Sequence, residues 1–427
     1  MVGDVDREGL TAPRFRSFLN GLGDLLASVG RQSLRETLEL LDAPRTCIDH
    51  GGESLRYRER VSREWLTAMG KITVSRRTYR GDGPGATSLV PLDVACGMSG
   101  RFMTPDVEEM AAHAAAMVTP REVHQLLAKH LPEAPSTTAI QNAIRRIGAT
   151  IAEHRESIEK VIDDEQPLAE DGDLLVTGWD GVMAPMRERG LAWREAGIAT
   201  VSVYDTSDAT PKKLDTRFLG RMPEKGMKSL LEDVADQVAR ASSRRSFRAI
   251  VAICDGKKSI WTAAKNHDVL TDAVWILDFY HASENLMKAA NAIFGEGDQA
   301  RQWHDRICTK LQLDDRGVEN AIRSMRRYWR QMPSKRMRER EARKVVENAI
   351  EYCRFHKDRM RYAHFLERGF PIGSGPVEAA AKNIVQARLK RSGMRWSRAG
   401  GQHVLDLRAY LKSQRWESMW KIVVEAA

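Results

Sequence analysis

The chain has 427 residues, 42% of them hydrophobic, enough for packed cores and for about three domains, which excludes a disordered tail protein. Its net charge is +9, and its five cysteines (Cys47, Cys96, Cys254, Cys308 and Cys353) include no Cys-x-x-Cys pair, which argues against a zinc finger or a disulfide framework and for a reducing compartment. No apolar run approaches the ~20 residues of a membrane helix, and no apolar signal core opens the chain, so a soluble cytoplasmic protein is expected.

In chain order, residues 1–95 read as a helical and β region. Phe15, Leu19, Leu22, Leu25 and Leu26 recur at helical spacing, Lys71 to Tyr79 suggests a strand, and Gly81 to Pro91 is a Gly- and Pro-rich loop. Residues 96–168 read as helical. Thr119-Pro120-Arg121-Glu122 has the form of a helix start with Thr119 as N-cap, and Ser136 opens a further helix carrying Gln141, Asn142, Arg145 and Arg146. That pair resembles a helix-turn-helix and equally fits a plain helical linker.

After an acidic stretch at Asp164 to Asp173 the texture changes to strands alternating with helices. Leu174 to Asp180, Ala199 to Tyr204 and Thr216 to Leu219 read as strands, and Lys228 to Ala241 as an amphipathic helix. The apolar runs Ala249 to Cys254 and Ala273 to Leu277 read as strands covered on both faces. Residues 169–290 are thus the first part of a mixed-sheet α/β core. Residues 291–365 form a basic helical insertion, too long for a loop, and residues 366–427 return to the core with a last helix and a basic tail.

Positive charge is clustered. Arg301 to Lys344 holds fourteen Lys and Arg against six Asp and Glu, and Lys382 to Arg415 holds nine against one. Such clusters fit a polyanionic partner and equally a solubility surface.

Three carboxylates stand out by position. Asp180 ends the first core strand before Gly181, Asp255 ends the central strand before Gly256, and Glu378 lies in the first turn of a helix opened by Gly375-Pro376. Carboxylates at neighbouring strand ends can share hard cations such as Mg²⁺, and two metals can serve both oxygens of a phosphodiester displacement. Taken singly, each Asp-Gly is also an ordinary turn and Glu378 an ordinary capping residue. Asp278-Phe279-Tyr280-His281 lies at another strand end. His281 there could hold a phosphate, orient a carboxylate, cap a helix, or be a buried histidine bonded to Asp278.

The ordered series Trp179-Asp180-Gly181, Cys254-Asp255-Gly256, Leu277-Asp278-Phe279-Tyr280-His281 and Gly373-Ser374-Gly375-Pro376-Val377-Glu378, with the tail Leu389-Lys390-Arg391-Ser392-Gly393-Met394-Arg395-Trp396-Ser397, resembles bacterial insertion-sequence transposases of the ISKra type, which are similar to the Mutator-like group. The resemblance runs from about Leu174 to the C-terminus and implies an RNase H-like core interrupted by a helical insertion. It implies a DDE triad of Asp180, Asp255 and Glu378 holding two Mg²⁺ or Mn²⁺ ions, with Asp278 and His281 as an accessory pair. The intervals of 255 − 180 = 75 and 378 − 255 = 123 residues fit it. The partners it implies are the terminal inverted repeats and target DNA, both double-stranded, with a homo-oligomer for synapsis and a nucleoid location. Lys382, Lys390, Arg391, Arg395 and Trp396 in the tail, and Arg323, Arg326, Arg327 and Arg330 in the insertion, are the expected DNA contacts. Glu378, Lys382, Gln386 and Lys390 should form one stripe leading DNA to the site, with Val377, Ala381 and Ile384 packing the helix on the sheet; the alternative is an ordinary Glu378–Lys382 surface ion pair. A junction resolvase and a catalytically silent, transposase-derived regulator are the alternatives. The family's N-terminal cysteine cluster has no counterpart here.

Overall fold

The computed structural model describes residues 11–83, 85–188, 193–208, 210–256, 261 and 267–426. The start of the N-terminal helical region, residues 1–10, lies outside them. The chain is mixed α/β and divides into two compact units, residues 1–158 with 417–427, and residues 159–416.

In the first unit, helix α1 (Ala12–Leu41) is followed by the antiparallel strands β1 (Cys47–His50), β2 (Glu53–Thr67), β3 (Gly70–Arg80) and β4 (Ser88–Leu89), which form a sheet in that order. Leu38, Trp65, Ile72, Val74, Leu92 and Met98 make a small core. The far end of α1 leaves Phe15, Phe18, Leu22, Leu25 and Val29 exposed.

After α2 (Pro91–Ala95) come α3 (Pro105–Met117), α4 (Pro120–Leu127), α5 (Thr137–Glu153) and α6 (Arg155–Glu165). The capping box at Thr119 and Glu122 is present, and Ser136 caps α5 by accepting from the Ala139 N–H at 3.1 Å. These caps are local signals, which is why the sequence shows them. The link between α4 and α5 runs from residue 128 to residue 136, longer than the turn of about three to four residues in a helix-turn-helix.

The second unit is built on a five-stranded sheet of β5 (Leu174–Pro185), β6 (Trp193–Asp205), β7 (Lys212–Arg221), β8 (Ala249–Cys254) and β9 (Val274–Leu277). The order across the sheet is β7-β6-β5-β8-β9. The β5–β6 and β6–β7 pairs are antiparallel, and β5–β8 and β8–β9 are parallel. Helix α7 (Lys228–Arg244) packs its Leu230, Leu231, Val234 and Val238 into the sheet's core. α8 (Asp268–Thr271) precedes β9. Then come α9 (Phe279–Phe294), α10 (Asp298–Leu313), α11 (Gly317–Gln331), α12 (Met337–Phe355) and the short α13 (Tyr362–Glu367), which form the basic helical region. Its apolar side chains, among them Trp303, Ile307, Met325, Val346 and Ile350, are continuous with the core of the sheet.

The chain returns in α14 (Gly375–Ala380), continues through a π turn (Ala381–Gln386) and a last helical turn (Ala387–Leu389), and closes with α15 (Arg398–Lys412) and α16 (Trp416–Glu425).

Candidate active site at the carboxyl edge of the sheet

The parallel ladder between β5 and β8 ends at Trp179↔Cys254, and that between β8 and β9 ends at Cys254↔Leu277. The next residue on each strand is an aspartate, so Asp180, Asp255 and Asp278 leave one edge of the sheet side by side. One expectation is corrected here. Asp180 does not terminate its strand, because β6 goes on pairing with β5 as far as Pro185↔Trp193. It terminates only the parallel ladder, where β8 stops.

Burial holds the Asp180 carboxyl above the ordinary carboxylate value. The Gly181 N–H, donated to Asp180 Oδ1 at 2.6 Å, pulls it down. The charges of Asp255 and Glu195 push it up again, and His281 acts in the opposite sense. Asp255, Glu195 and His281 therefore all act on Asp180 at this edge.

Glu195 is the member that sequence reasoning missed. It lies on β6, paired with Met183, and its carboxylate covers Gly181: a Cβ at residue 181 would stand 2.1 Å from Glu195 Oε1. Recognising it needs the β5–β6 register, and the apolar run that marks β6 begins after it.

Asp278 is 2% exposed and caps α9. It accepts from the N–H groups of Tyr280 and His281 at 3.4 Å each, and from Ser374 N–H at 2.9 Å. His281 is half-exposed, its Nε2 3.8 Å from Asp278 Oδ2. Of the roles open to this pair, the cap belongs to Asp278.

Glu378 is brought to the same region by its helix. Val377 Cγ2 sits so close over Gly178 that a Cβ there would be 2.7 Å away. The Glu378 side chain is 61% exposed, however, and pairs with Lys382 at 2.9 Å. Among the described residues no group of three His, Cys, Asp or Glu side chains is arranged to hold a metal ion. Asp180 and Asp255 are together; Glu378 joins them in fold but not in side-chain position. The donors are all carboxylate oxygens, which suit a hard divalent cation.

The sequence pattern of the uncharacterised protein family UPF0236 matches residues 13–420. The chain belongs to this family. Comparison with curated proteins gives no match. The family match takes in all the carboxylates of the edge, the helical insertion and most of the tail.

In the tail, Val377, Ala381 and Ile384 are buried and Glu378, Lys382 and Gln386 exposed, as the stripe requires. The π turn sustains that four-residue recurrence, which an α-helix would wind off its face. Lys390 and Arg391 are half-buried and Arg395 is exposed. Trp396 has structural work. Its N–H donates to the Pro185 carbonyl at 3.0 Å, its carbonyl accepts from Arg187 N–H at 2.9 Å, and its indole N–H donates to Leu389 O at 3.0 Å. The Arg388 guanidinium lies 5.1 Å from its ring centre. The tail is thereby fastened to the end of β5.

On the insertion, Arg323, Arg326, Arg327 and Arg330 are all exposed on one face of α11, whose Val318, Ala321 and Met325 face the core. With Arg354 and Lys357, which sequence reasoning did not single out, they line a groove of about 650 Å³. The acid at this groove, Glu319, is held by Lys357 at 3.0 Å and Arg361 at 2.8 Å.

Proposed function

We propose that this protein is a DDE-type DNA transposase of the ISKra insertion-sequence type, with an RNase H-like core. The observation that carries the reading is the edge itself. Asp180 and Asp255 follow the last pair of the parallel β5–β8 ladder, close enough to raise one carboxyl through the other's charge, in a sheet of order β7-β6-β5-β8-β9. Two carboxylates crowded in this way are stabilised by a cation.

Asp180 and Asp255 would hold Mg²⁺ or Mn²⁺, two ions in the full site, and Glu378 would complete the set by leaving its ion pair with Lys382. When bound, the ions supply activation of the attacking oxygen and stabilisation of the leaving one. The protein's own contribution is positional. Lys382, once released, faces the DNA backbone, with Lys390, Arg391 and Arg395 beyond it. The α11 groove offers Arg323, Arg326, Arg327 and Arg330 to further phosphates without reading sequence. Terminal inverted repeats and target DNA are the double-stranded partners in this reading. Synapsis calls for a homo-oligomer, and the seven-residue recurrence Phe15, Leu22, Val29 and Phe18, Leu25 on the exposed stripe of α1 supports pairing with a second copy.

The Glu378–Lys382 pair favours a second reading, a transposase-derived DNA-binding protein that does not cleave. One experiment separates the two. The protein is incubated with Mg²⁺ or Mn²⁺ and DNA taken from both flanks of its gene. Strand cleavage at the ends and joining of 3′-hydroxyls to a target plasmid support transposition. Binding without cleavage supports the second reading.

A further inference from the structure

The helical insertion touches the acidic edge through one turn of α12. Tyr352 lies against Gly256, the residue after Asp255. A Cβ at Gly256 would be 2.4 Å from the Tyr352 ring and 2.7 Å from its hydroxyl oxygen. One turn on, His356 is 1% exposed and hydrogen-bonds the Gly256 backbone. The two rings meet at 4.7 Å between centroids. Arg359 continues the series: its Nη1 is 3.3 Å from His356 Nδ1, and its guanidinium lies 4.5 Å from the Trp261 ring centre. Trp261 closes the circuit by donating its indole N–H to the Asp255 carbonyl at 2.6 Å.

The Asp255–Gly256 turn is thus gripped on its backbone from two sides, and the grip fits only a residue without a side chain at position 256. The Tyr352 hydroxyl is shut off from solvent, with Asn285 acting on it, and the ring edge is the part nearest Gly256. Together these groups fix the peptide that carries the Asp255 carboxylate.

We propose that Tyr352 and His356 form a clamp by which the insertion positions Asp255, making both positioning residues for the metal site. The inference rests on the metal-dependent reading, and it adds a task for the insertion other than DNA contact. Loosening the turn would leave the carboxylate in place on average but without fixed direction. Partners that orient a ligand in this way are worth about 10–100-fold in metal affinity.

The test uses the full chain in three variants: Tyr352→Phe keeps the ring, Tyr352→Leu removes it, and Asp255→Asn serves as control. Mn²⁺ affinity is measured by calorimetry, and amide hydrogen exchange is followed in the peptide containing Asp255 and Gly256. The clamp predicts that Tyr352→Phe matches wild type in both. Tyr352→Leu should bind Mn²⁺ about 10-fold more weakly and exchange faster at that peptide, with protection of β5 and β6 unchanged. Unchanged exchange at the turn in Tyr352→Leu overturns the clamp, whether or not metal binds. If Tyr352→Leu fails to fold, His356→Gln is read by the same two measurements. If Asp255→Asn binds Mn²⁺ as the wild type does, the metal reading fails, and the exchange data still decide the clamp.

Discussion

Ser374 donates its backbone N–H to the Asp278 carboxylate at 2.9 Å across 96 residues of chain. Beside it, Phe279 N–H donates to the Ile372 carbonyl at 3.0 Å. The chain leaves the sheet at Asp278, builds the helical insertion, and returns to the point of departure. This closure sets where α14 begins and so where Glu378 can lie.

Asp278→Ala removes the acceptor of three N–H groups at a residue 2% exposed. It should destabilise the protein by about 1–3 kcal/mol, through loss of a helix cap and of the acceptor for partly buried N–H groups. Asp278→Asn retains one acceptor oxygen and should cost less. Urea unfolding measures both, and a loss below about 0.5 kcal/mol in the alanine variant would show that the closure does not depend on this carboxylate.

Asp180 carries a second, opposite expectation. Its folded-state carboxyl is raised chiefly by burial, with Asp255 and Glu195 adding to it. A raised carboxyl contributes stability below its pKa and loses it as pH rises through that value. At neutral pH the metal-free protein should therefore gain thermal stability in Asp180→Asn, the same substitution expected to abolish cleavage. A lower Tm in the variant would contradict the crowded-carboxylate account.

His356 predicts an acid limb. Burial, aided by the Arg359 charge, lowers it from 6.5 to about 4. A depressed histidine stabilises the fold above its ordinary pKa, and that contribution fades as pH falls from 6.5 towards about 4. The loss should reach up to about 3 kcal/mol across that window. His356→Gln should flatten the limb, as read from unfolding free energy against pH; a limb of the same slope would assign it to other groups.

Neutralising Arg323, Arg326, Arg327 and Arg330 to Ala should weaken binding to all duplexes alike. The slope of log affinity against log salt should flatten by about 0.9 for each phosphate that the variant leaves unneutralised. Fluorescence anisotropy over a salt series gives the slope, and an unchanged value would return the α11 face to an ordinary solvated surface.

Much of the sheet was legible because its central strands are buried on both faces. Ala249 to Cys254 and Ala273 to Leu277 read as apolar runs, and the capping residues Thr119, Ser136 and Glu122 act over three positions of sequence. β2 was not legible. Its fifteen residues bury only Leu55 and the end from Trp65 to Thr67, and its ladder with β3 supplies what local pattern does not. The position of Asp255 followed from a strand end, and that of Asp180 from the end of an apolar run although its strand continues to Pro185. The contribution of Glu195 followed only from register, whereas the Glu378–Lys382 ion pair was readable from its four-residue spacing. Tyr352 and His356 belong to no motif, since helix α12 shows one turn to Gly256 only after the chain has folded.

The central claim is that Asp180, Asp255 and Glu378 act together on DNA through bound metal. The direct measurement is Mn²⁺-dependent cleavage of end-containing DNA by wild type, Asp180→Asn, Asp255→Asn and Glu378→Gln, with DNA binding followed in parallel in Ca²⁺. The account predicts cleavage by the wild type, a loss of about 100-fold or more in each variant, beyond what removing an outer-shell partner costs, and binding that remains largely intact. Cleavage near the wild-type rate in any variant would remove that residue from the site. No metal-dependent cleavage by the wild type would contradict the account as a whole.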